Sequence, residues 1–378
     1  MLSSSTPLNG LIRLGTSDLM EDIKVMGAFK IGTNLKDNEW LLNYQNLTRR
    51  IDWGVSYYRN SQSYSVGGVY PVRGFTNLYQ ANISYPFDVT RSIRLTTGVR
   101  TEKFVLKSID GPSLLEPDIN STYSVSHLEY VYDNSLNPAM NIWNGARYKI
   151  YMDYNKQVGK LQTAAGRNTF NFGFDARYYY PIFRNLIWAG RAAGDFSWGN
   201  QKLIYYLGGV DGWLMFGSNT KAGSTRQRYF NENNPPAADQ EYAFQSLAVN
   251  MRGYIQNVAN GNNAVTLNSE FRVPILSTFF ERTINNPFLR DLQVIQFTDF
   301  GTAWNGSFTK IKRPEVTYSS TNVSVKIKSP GIGPFVGGYG FGIRSSVLGY
   351  FLKFDIGWPM DTFFGGRPIK YIALGLDF

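Results

Sequence analysis

Hydrophobic and polar residues alternate with period two along most of this chain, in runs of about ten residues, the length of a tilted strand crossing a bilayer. In 146–154, Ala146, Tyr148, Ile150, Met152 and Tyr154 share one side, and Arg147, Lys149, Tyr151 and Asp153 the other. Further on, Phe170, Phe172, Phe174, Ala176, Tyr178 and Tyr180 oppose Asn171, Gly173, Asp175, Arg177 and Tyr179. Tyr350, Leu352, Phe354, Ile356 and Trp358 alternate likewise with Phe351, Lys353, Asp355 and Gly357. The pattern predicts strands at 10–18, 22–31, 39–47, 51–60, 76–86, 92–106, 122–132, 145–155, 168–181, 185–198, 264–275, 291–303, 336–347, 349–358 and 369–378. Amphipathic helical stretches are scarce.

The polar sets carry charges of both signs, so that side is wet or densely paired. The apolar sets end in Tyr or Trp, as do the aromatic girdles of outer-membrane barrels. A soluble β-sandwich gives the same alternation with its apolar side turned inward, but it places few large aromatics outside. The lipid-facing barrel is therefore the favoured reading and the sandwich its alternative. Short links at 86–91 and 182–185 alternate with longer ones at 107–121 and 155–166, as periplasmic turns alternate with external loops. The longest irregular stretches, 199–263 and 305–335, are rich in Gly, Asn, Ser and Pro and are expected to be external loops. Counting back from a periplasmic C-terminus, strand 10–18 runs downward. Single-chain bacterial barrels have an even strand number, so either one strand lies upstream of this chain or one is overlooked.

Composition narrows the picture. The 378 residues are 43% hydrophobic, 16% aromatic and 17% charged, with 25 Tyr and 26 Phe. This is an unusual balance for a cytosolic protein. With no Cys and one His, disulfide scaffolds, thiolate metal centres, cysteine nucleophiles and multi-histidine sites are excluded. The net charge of +10 is spread between aromatics rather than gathered into a basic arm, which argues against a nucleic-acid partner. No apolar run is long enough for a membrane helix, and mean hydropathy is −0.26. The opening MLSSSTPLNGLIRLG lacks the pattern of a signal peptide.

Several motifs cluster in the last third. Met251-Arg252-Gly253-Tyr254 closes the longest loop and precedes Asn268-Ser269-Glu270-Phe271-Arg272-Val273-Pro274-Ile275. Phe297-Thr298-Asp299-Phe300-Gly301-Thr302-Ala303-Trp304 follows, then Gly340-Phe341-Gly342-Ile343-Arg344 and Phe354-Asp355-Ile356-Gly357-Trp358-Pro359. This set resembles the outer-membrane assembly factor superfamily of sixteen-stranded barrels, also called bacterial surface antigens. The resemblance implies an external loop folded into the lumen, its arginine tip docked on an aspartate motif of one strand and a glutamate of the preceding one. Carried over to matching positions, the loop lock is Arg252, Gly253 and Tyr254 with Asp299, Gly301 and Glu270. Met251 departs from the usual Val or Ile. An arginine fork can bind such a carboxylate bidentately.

Thr16-Ser17-Asp18-Leu19-Met20, the stretch 42–54 and Leu207-Gly208-Gly209-Val210-Asp211-Gly212-Trp213 look like the barrels fused behind TolB-like β-propellers in Bacteroidetes. That narrower resemblance implies a periplasmic domain upstream of this chain. Ile372, Leu374, Leu376 and Phe378 alternate to an aromatic terminus, which resembles the C-terminal insertion signal of outer-membrane barrels.

A Ser-His-Asp hydrolase would have to use His127, which shares the polar side with Glu129 while Ser124 and Ser126 point away. No G-x-S-x-G elbow is present, so a paired lumen histidine is expected. Asp153, Asp175 and Asp195 share their side with Arg147, Arg177 and Arg191, which reads as a ladder of stabilising charges. The expectation is thus an all-β transmembrane antiparallel barrel over 1–378, its first strand missing, with 199–263 folded into the lumen. It would be a non-enzyme of the bacterial outer membrane, without cofactor or metal, acting in insertion, assembly or translocation of proteins. Its partners would be outer-membrane lipid, periplasmic or outer-membrane subunits and client proteins. The alternatives are a passive porin-like channel and a structural membrane anchor for a periplasmic β-propeller.

Overall fold

The computed structural model describes residues 10–31, 37–66, 70–159, 166–214, 240–249, 251–255, 258–280, 284–307, 315–320, 323–328, 335–360 and 368–378. Parts of both long loops and of the 155–166 link, and the first nine residues, lie outside these. The chain forms two compact units, one of Met1–Val131 with Tyr151–Phe170, the other of Tyr132–Ile150 with Asn171–Phe378.

The first unit is an antiparallel meander. It runs through β1 (Gly10–Ser17), β2 (Ile23–Ile31), β3 (Asn38–Asn46), β4 (Asp52–Val66), β5 (Tyr70–Pro86), β6 (Arg91–Leu106) and most of β7 (Ile119–Asp133). Register is unbroken from Gly10↔Ile31 to Ser17↔Lys24 and from Asp52↔Ser84 to Val66↔Tyr70. Cross-strand aromatics reinforce it, with the ring centres of Phe29 and Trp40 4.1 Å apart. Two of its short turns share one local device, which Asp133 and Ser135 repeat in the second unit. Asn46, Asp88 and Asp133 each accept from both the main-chain N–H and the hydroxyl of the residue two on: Thr48, Thr90 and Ser135. A side chain that supplies the turn's acceptor frees the chain to reverse without strand pairing.

The second unit contains β8 (Leu136–Ala139), most of β9 (Ile142–Val158) and β10 (Asn168–Phe183), and β11 (Leu186–Gly199). Within the 199–263 loop lie β12 (Lys202–Leu207), β13 (Gln240–Val249) and β14 (Ala259–Gly261), a small sheet in the order β13-β12-β14. The main sheet resumes at β15 (Asn263–Pro274) and β16 (Gln293–Trp304). A hairpin, β17 (Glu315–Ser320) and β18 (Val323–Lys328), precedes β19 (Val336–Val347), β20 (Tyr350–Pro359) and β21 (Ile369–Leu374). The order in this unit is β9-β10-β11-β15-β16-β19-β20-β21, with β8 beside β9. Both long loops were expected to be irregular. Instead, runs such as Leu203-Ile204-Tyr205-Tyr206-Leu207 and Val323-Ser324-Val325-Lys326 pair locally, because apolar and β-branched residues outweigh the surrounding Gly and Asn.

The two sides of the sheet invert the arrangement of a water-soluble core. Tyr148, Ile150, Met152, Tyr154, Tyr178, Tyr180, Leu267, Phe271, Phe341 and Ile343 are exposed, whereas Arg272, Arg344, Asp299 and Glu270 are buried. Charged side chains thus gather on the buried side of the sheet and large apolar ones on its exposed side. Among the described residues no helix is long and apolar enough to cross a membrane, which says nothing of strands.

The last predicted strand, 369–378, needs correction. β21 stops at Leu374, and Gly375 has φ +115°. Ile372, Leu374 and Leu376 are exposed, but Phe378 leaves their side and packs beside the buried cluster of Ile142, Tyr179, Ile187 and Ala189. Left-handed backbone at Gly375 breaks the period of two, and Asp377 then finds its charge partners inside.

Candidate functional site

The site is built where the loop tip meets β15, β16, β19, β20 and β21. Register places Asn268 opposite Asp299, and Asp299 opposite Gly338, so one buried carboxylate sits between an amide and a bare backbone. Glu270, two residues beyond Asn268, points to the same side by the alternation of the strand.

Arg252 enters this place from the loop. Its Nε donates to Asp299 Oδ2 at 2.7 Å and its Nη2 to Asp299 Oδ1 at 2.8 Å. Its own main-chain N–H adds a third bond to Oδ2 at 3.1 Å, and Nη1 donates to Glu270 Oε1 at 2.6 Å. The guanidinium lies 3.8 Å from the centre of the Phe297 ring, a cation–π contact that covers one face of the ion. Burial would push Arg252 toward its neutral form, but Asp299 and then Glu270 more than offset this and hold its pKa well above the ordinary arginine value.

The tip is held by its backbone as well. Met251 and Gly209 exchange main-chain hydrogen bonds of 3.0 and 3.1 Å. The Tyr371 hydroxyl accepts from Gly253 N–H at 2.9 Å and donates to the Tyr254 carbonyl at 2.6 Å. The Tyr254 hydroxyl donates to the Gly337 carbonyl at 2.7 Å. Gly253 takes φ +95°, and a Cβ there would stand 2.6 Å from the Trp358 carbonyl. Gly301 presents a flat surface to the Met251 methyl, and a Cβ on Gly338 would overlap the Arg252 carbonyl. The structure thus gathers all six residues singled out from the loop motif: Arg252, Gly253, Tyr254, Asp299, Gly301 and Glu270.

Behind them stands a second layer. Glu270 Oε2 accepts from Arg272 Nε at 2.9 Å, and Arg272 also donates to the main-chain oxygens of Asn141 (3.1 Å) and Phe378 (2.8 Å). Arg344 is bidentate to Asp355 (2.8 and 3.1 Å) and bonds both oxygens of Asp377 (2.8 and 3.1 Å). Lys353 Nζ lies 3.9 Å from Asp377. Each cluster is formally neutral, Arg252 and Arg272 against Glu270 and Asp299, and Arg344 and Lys353 against Asp355 and Asp377. Burial is tolerable only with such balance and near-complete hydrogen bonding.

Sequence reasoning assigned no role to Tyr371, Arg272, Asn268, Arg344, Asp355 or Asp377. The glycines at 337, 338, 340 and 342, alternating with aromatics in β19, were the legible signal that a second backbone approaches there. In the first unit, His127 Nδ1 is 2.6 Å from Asp153 Oδ1 and Nε2 is 3.5 Å from Glu129, which also accepts from Arg94 at 3.1 Å. Ser126 instead contacts Thr97 at 3.1 Å, and among the described residues the imidazole is bonded to Asp153 and Glu129 and to no serine. Asp175 is gripped by Arg177 and Arg191 with four bonds between 2.7 and 3.2 Å, and Arg147 stacks 4.7 Å over Trp143. Among the described residues no group of three or more His, Cys, Asp or Glu is placed to hold a metal ion. The assembled chemistry is that of arginine–carboxylate clasps.

These features define a class first: a large antiparallel sheet with an apolar outside, carrying a loop pinned to its polar side. Compared with solved structures, the fold is similar to that of BamA from Haemophilus ducreyi lacking POTRA domains 1-3, at 13% identity and a TM-score of 0.56, over 98% of this chain and 68% of that one. CdiB from Escherichia coli also aligns, at 11% identity and a TM-score of 0.46, over 98% of this chain and 60% of that one. No family model and no curated protein matches the sequence.

Proposed function

We propose that this chain is an outer-membrane β-barrel of the assembly-factor class, closed by a lumen-docked loop and acting in insertion or translocation of other proteins. The observation that carries the reading is the pinning of Arg252 to Asp299 and Glu270 on the inner side of strands whose outer side is exposed and aromatic. A passive pore needs a charged lumen but no such clasp. The likeness of fold to BamA agrees with the reading. The propeller-fused subgroup is its narrower form, supported by the motifs at 16–20, 42–54 and 207–213. Ile372, Leu374 and Leu376 supply the apolar part of a C-terminal insertion signal, and Phe378 would have to turn outward to complete it.

Depletion of the protein in its native cell, followed by quantification of outer-membrane proteins, tests the function. A selective loss of barrel proteins is expected, restored by the wild-type chain and not by Arg252→Ala. Unchanged levels after depletion, with large steady conductance of the purified protein in planar bilayers, would establish a porin-like channel instead.

A further inference from the structure

The last strand is paired on both of its edges, and one of the partners is a fragment of the chain's own long loop. β20 takes one edge from Leu352↔Leu374 to Gly357↔Ile369. On the other, Trp213 forms an antiparallel bridge with Ala373. Leu214 N–H donates to the Ile372 carbonyl at 2.7 Å, and Leu374 N–H donates to the Gly212 carbonyl at 3.2 Å. The Gly375 N–H turns back to Phe351 of β20 at 3.0 Å, so the main-chain groups of Ile372 and Leu374 face away from β20. Of these groups, the Ile372 carbonyl is satisfied by Leu214 and the Leu374 N–H by Gly212. An unpaired strand edge is a ready template for another chain, and one left bare in lipid is strongly unfavourable because its N–H and C=O groups find no partner.

The contact is shaped for this place. Gly212 has φ +70°, and a Cβ there would collide with the Leu374 carbonyl. Trp213 packs edge-on against Tyr371, ring centres 4.9 Å apart, in a buried cluster with Val210 and Ala373. Tyr371 is the residue whose hydroxyl holds Gly253 and Tyr254, so the edge fragment and the Arg252 clasp lean on one side chain. Gly209, three residues before Gly212, is itself bonded to Met251 of the tip.

We propose that Gly212–Leu214 is an internal cap on the far edge of β21, holding the place of an incoming β-strand. The partner that fits is an extended segment with a glycine where Gly212 lies, an aromatic ring where Trp213 lies, and free main-chain donors and acceptors. Pairing requires that the cap leave, and its departure withdraws Trp213 from Tyr371. This deepens the assembly reading and rests on it only for where the incoming strand comes from.

The chain lacks cysteine, which permits a direct test. Trp213 and Ala373 form a non-hydrogen-bonded antiparallel pair, whose Cα atoms lie about 4.5 Å apart, within disulfide range. The full chain is reconstituted in vesicles of phosphatidylethanolamine and phosphatidylglycerol. Trp213→Cys with Ala373→Cys is expected to form a reducible disulfide under mild oxidation, and Trp213→Cys with Ile372→Cys to form none. A biotinylated peptide of the 207–214 sequence carrying a photo-crosslinker is then offered to wild type, to Gly212→Val and to the oxidised double-cysteine protein. Capture on β21, mapped by mass spectrometry, should rise several-fold in Gly212→Val and fall to background in the oxidised protein, returning with reductant. Absence of the 213–373 disulfide, or equal capture by all three proteins, would overturn the cap. Should depletion leave outer-membrane proteins untouched, the assembly reading fails while both crosslinking results stand.

Discussion

Arg252 and Asp299, 47 residues apart in sequence, meet through two parallel side-chain hydrogen bonds of 2.7 and 2.8 Å, with the main-chain N–H of Arg252 as a third donor. The pair is buried and the fork is fully used, since the remaining nitrogen serves Glu270. Arg252→Ala leaves two carboxylates facing one arginine, at a cost of roughly 3–5 kcal/mol for a dry site. The expected result is a lower denaturant midpoint in lipid vesicles and a lower temperature for loss of heat-modifiable gel mobility. Arg252→Lys should recover only part, because a point charge cannot engage Asp299 and Glu270 in the same geometry. Unchanged midpoints for both variants would remove the clasp from the energetics of the fold.

Tyr371→Phe keeps the ring against Trp213 but removes the hydroxyl that serves Gly253 and Tyr254. The buried Gly253 N–H loses its partner, at a cost of about 1–3 kcal/mol, while the Tyr254 carbonyl keeps the 3.2 Å bond from the Gly209 N–H. Amide exchange at Gly253 should accelerate while exchange along β16 is unaffected.

Gly338→Ala places a methyl group where the Arg252 carbonyl stands. The tip must then lift from the sheet. Gly338→Ala and Arg252→Ala disable one contact by two routes, so the double variant should cost clearly less than the sum of the singles. Strict additivity in denaturant melts would mean the two residues act independently.

Acid sensitivity has its own origin near the end of the chain. Burial alone would raise Asp377, but Arg344, Arg272 and Lys353 outweigh it and hold its carboxyl well below the ordinary value of 3.8. A pKa depressed in the folded state contributes stability that is complete above the unfolded value and lost as pH falls through the folded one. Wild type and Asp377→Asn should therefore differ by about 3 kcal/mol near pH 7, with the gap narrowing only at pH values below about 4. A gap that closed between about pH 5 and pH 8 would implicate another group.

The membrane reading makes a blunt demand on solubility. Exposed Tyr148, Tyr178, Phe341 and Ile343 lie on strands whose opposite side is charged. The purified chain is expected to need detergent or lipid to remain dispersed, and sedimentation without either should show aggregates. A dispersed, folded monomer in plain buffer would sink the reading.

All fifteen predicted strands occur as strands, the last shortened to Ile369–Leu374, because period-two alternation is a local property that neighbouring residues enforce on one another. Several run longer than the alternation suggested, β4 and β5 by up to six residues, since hairpin pairing continues through Ser, Tyr and Gly that carry no hydrophobic signal. The loop motif was legible because Arg252, Glu270 and Asp299 carry opposite charges in short, recognisable settings. Tyr371 and Arg272 were not, for a tyrosine or arginine on a strand looks alike whether it meets water or a folded-back loop.

What the residues determined alone is therefore which side of each strand is greasy and which is charged, and that a glycine-flanked arginine ends the long loop. What only the folded chain decided is contact over distance. Asp299 faces Gly338, Phe378 turns inward at Gly375, and Gly212–Leu214 lies along the edge of β21. Alternation is set by sterics between adjacent residues. The closing of a loop onto a sheet is set by which buried charges and edges need partners, and those needs exist only once the strands have assembled.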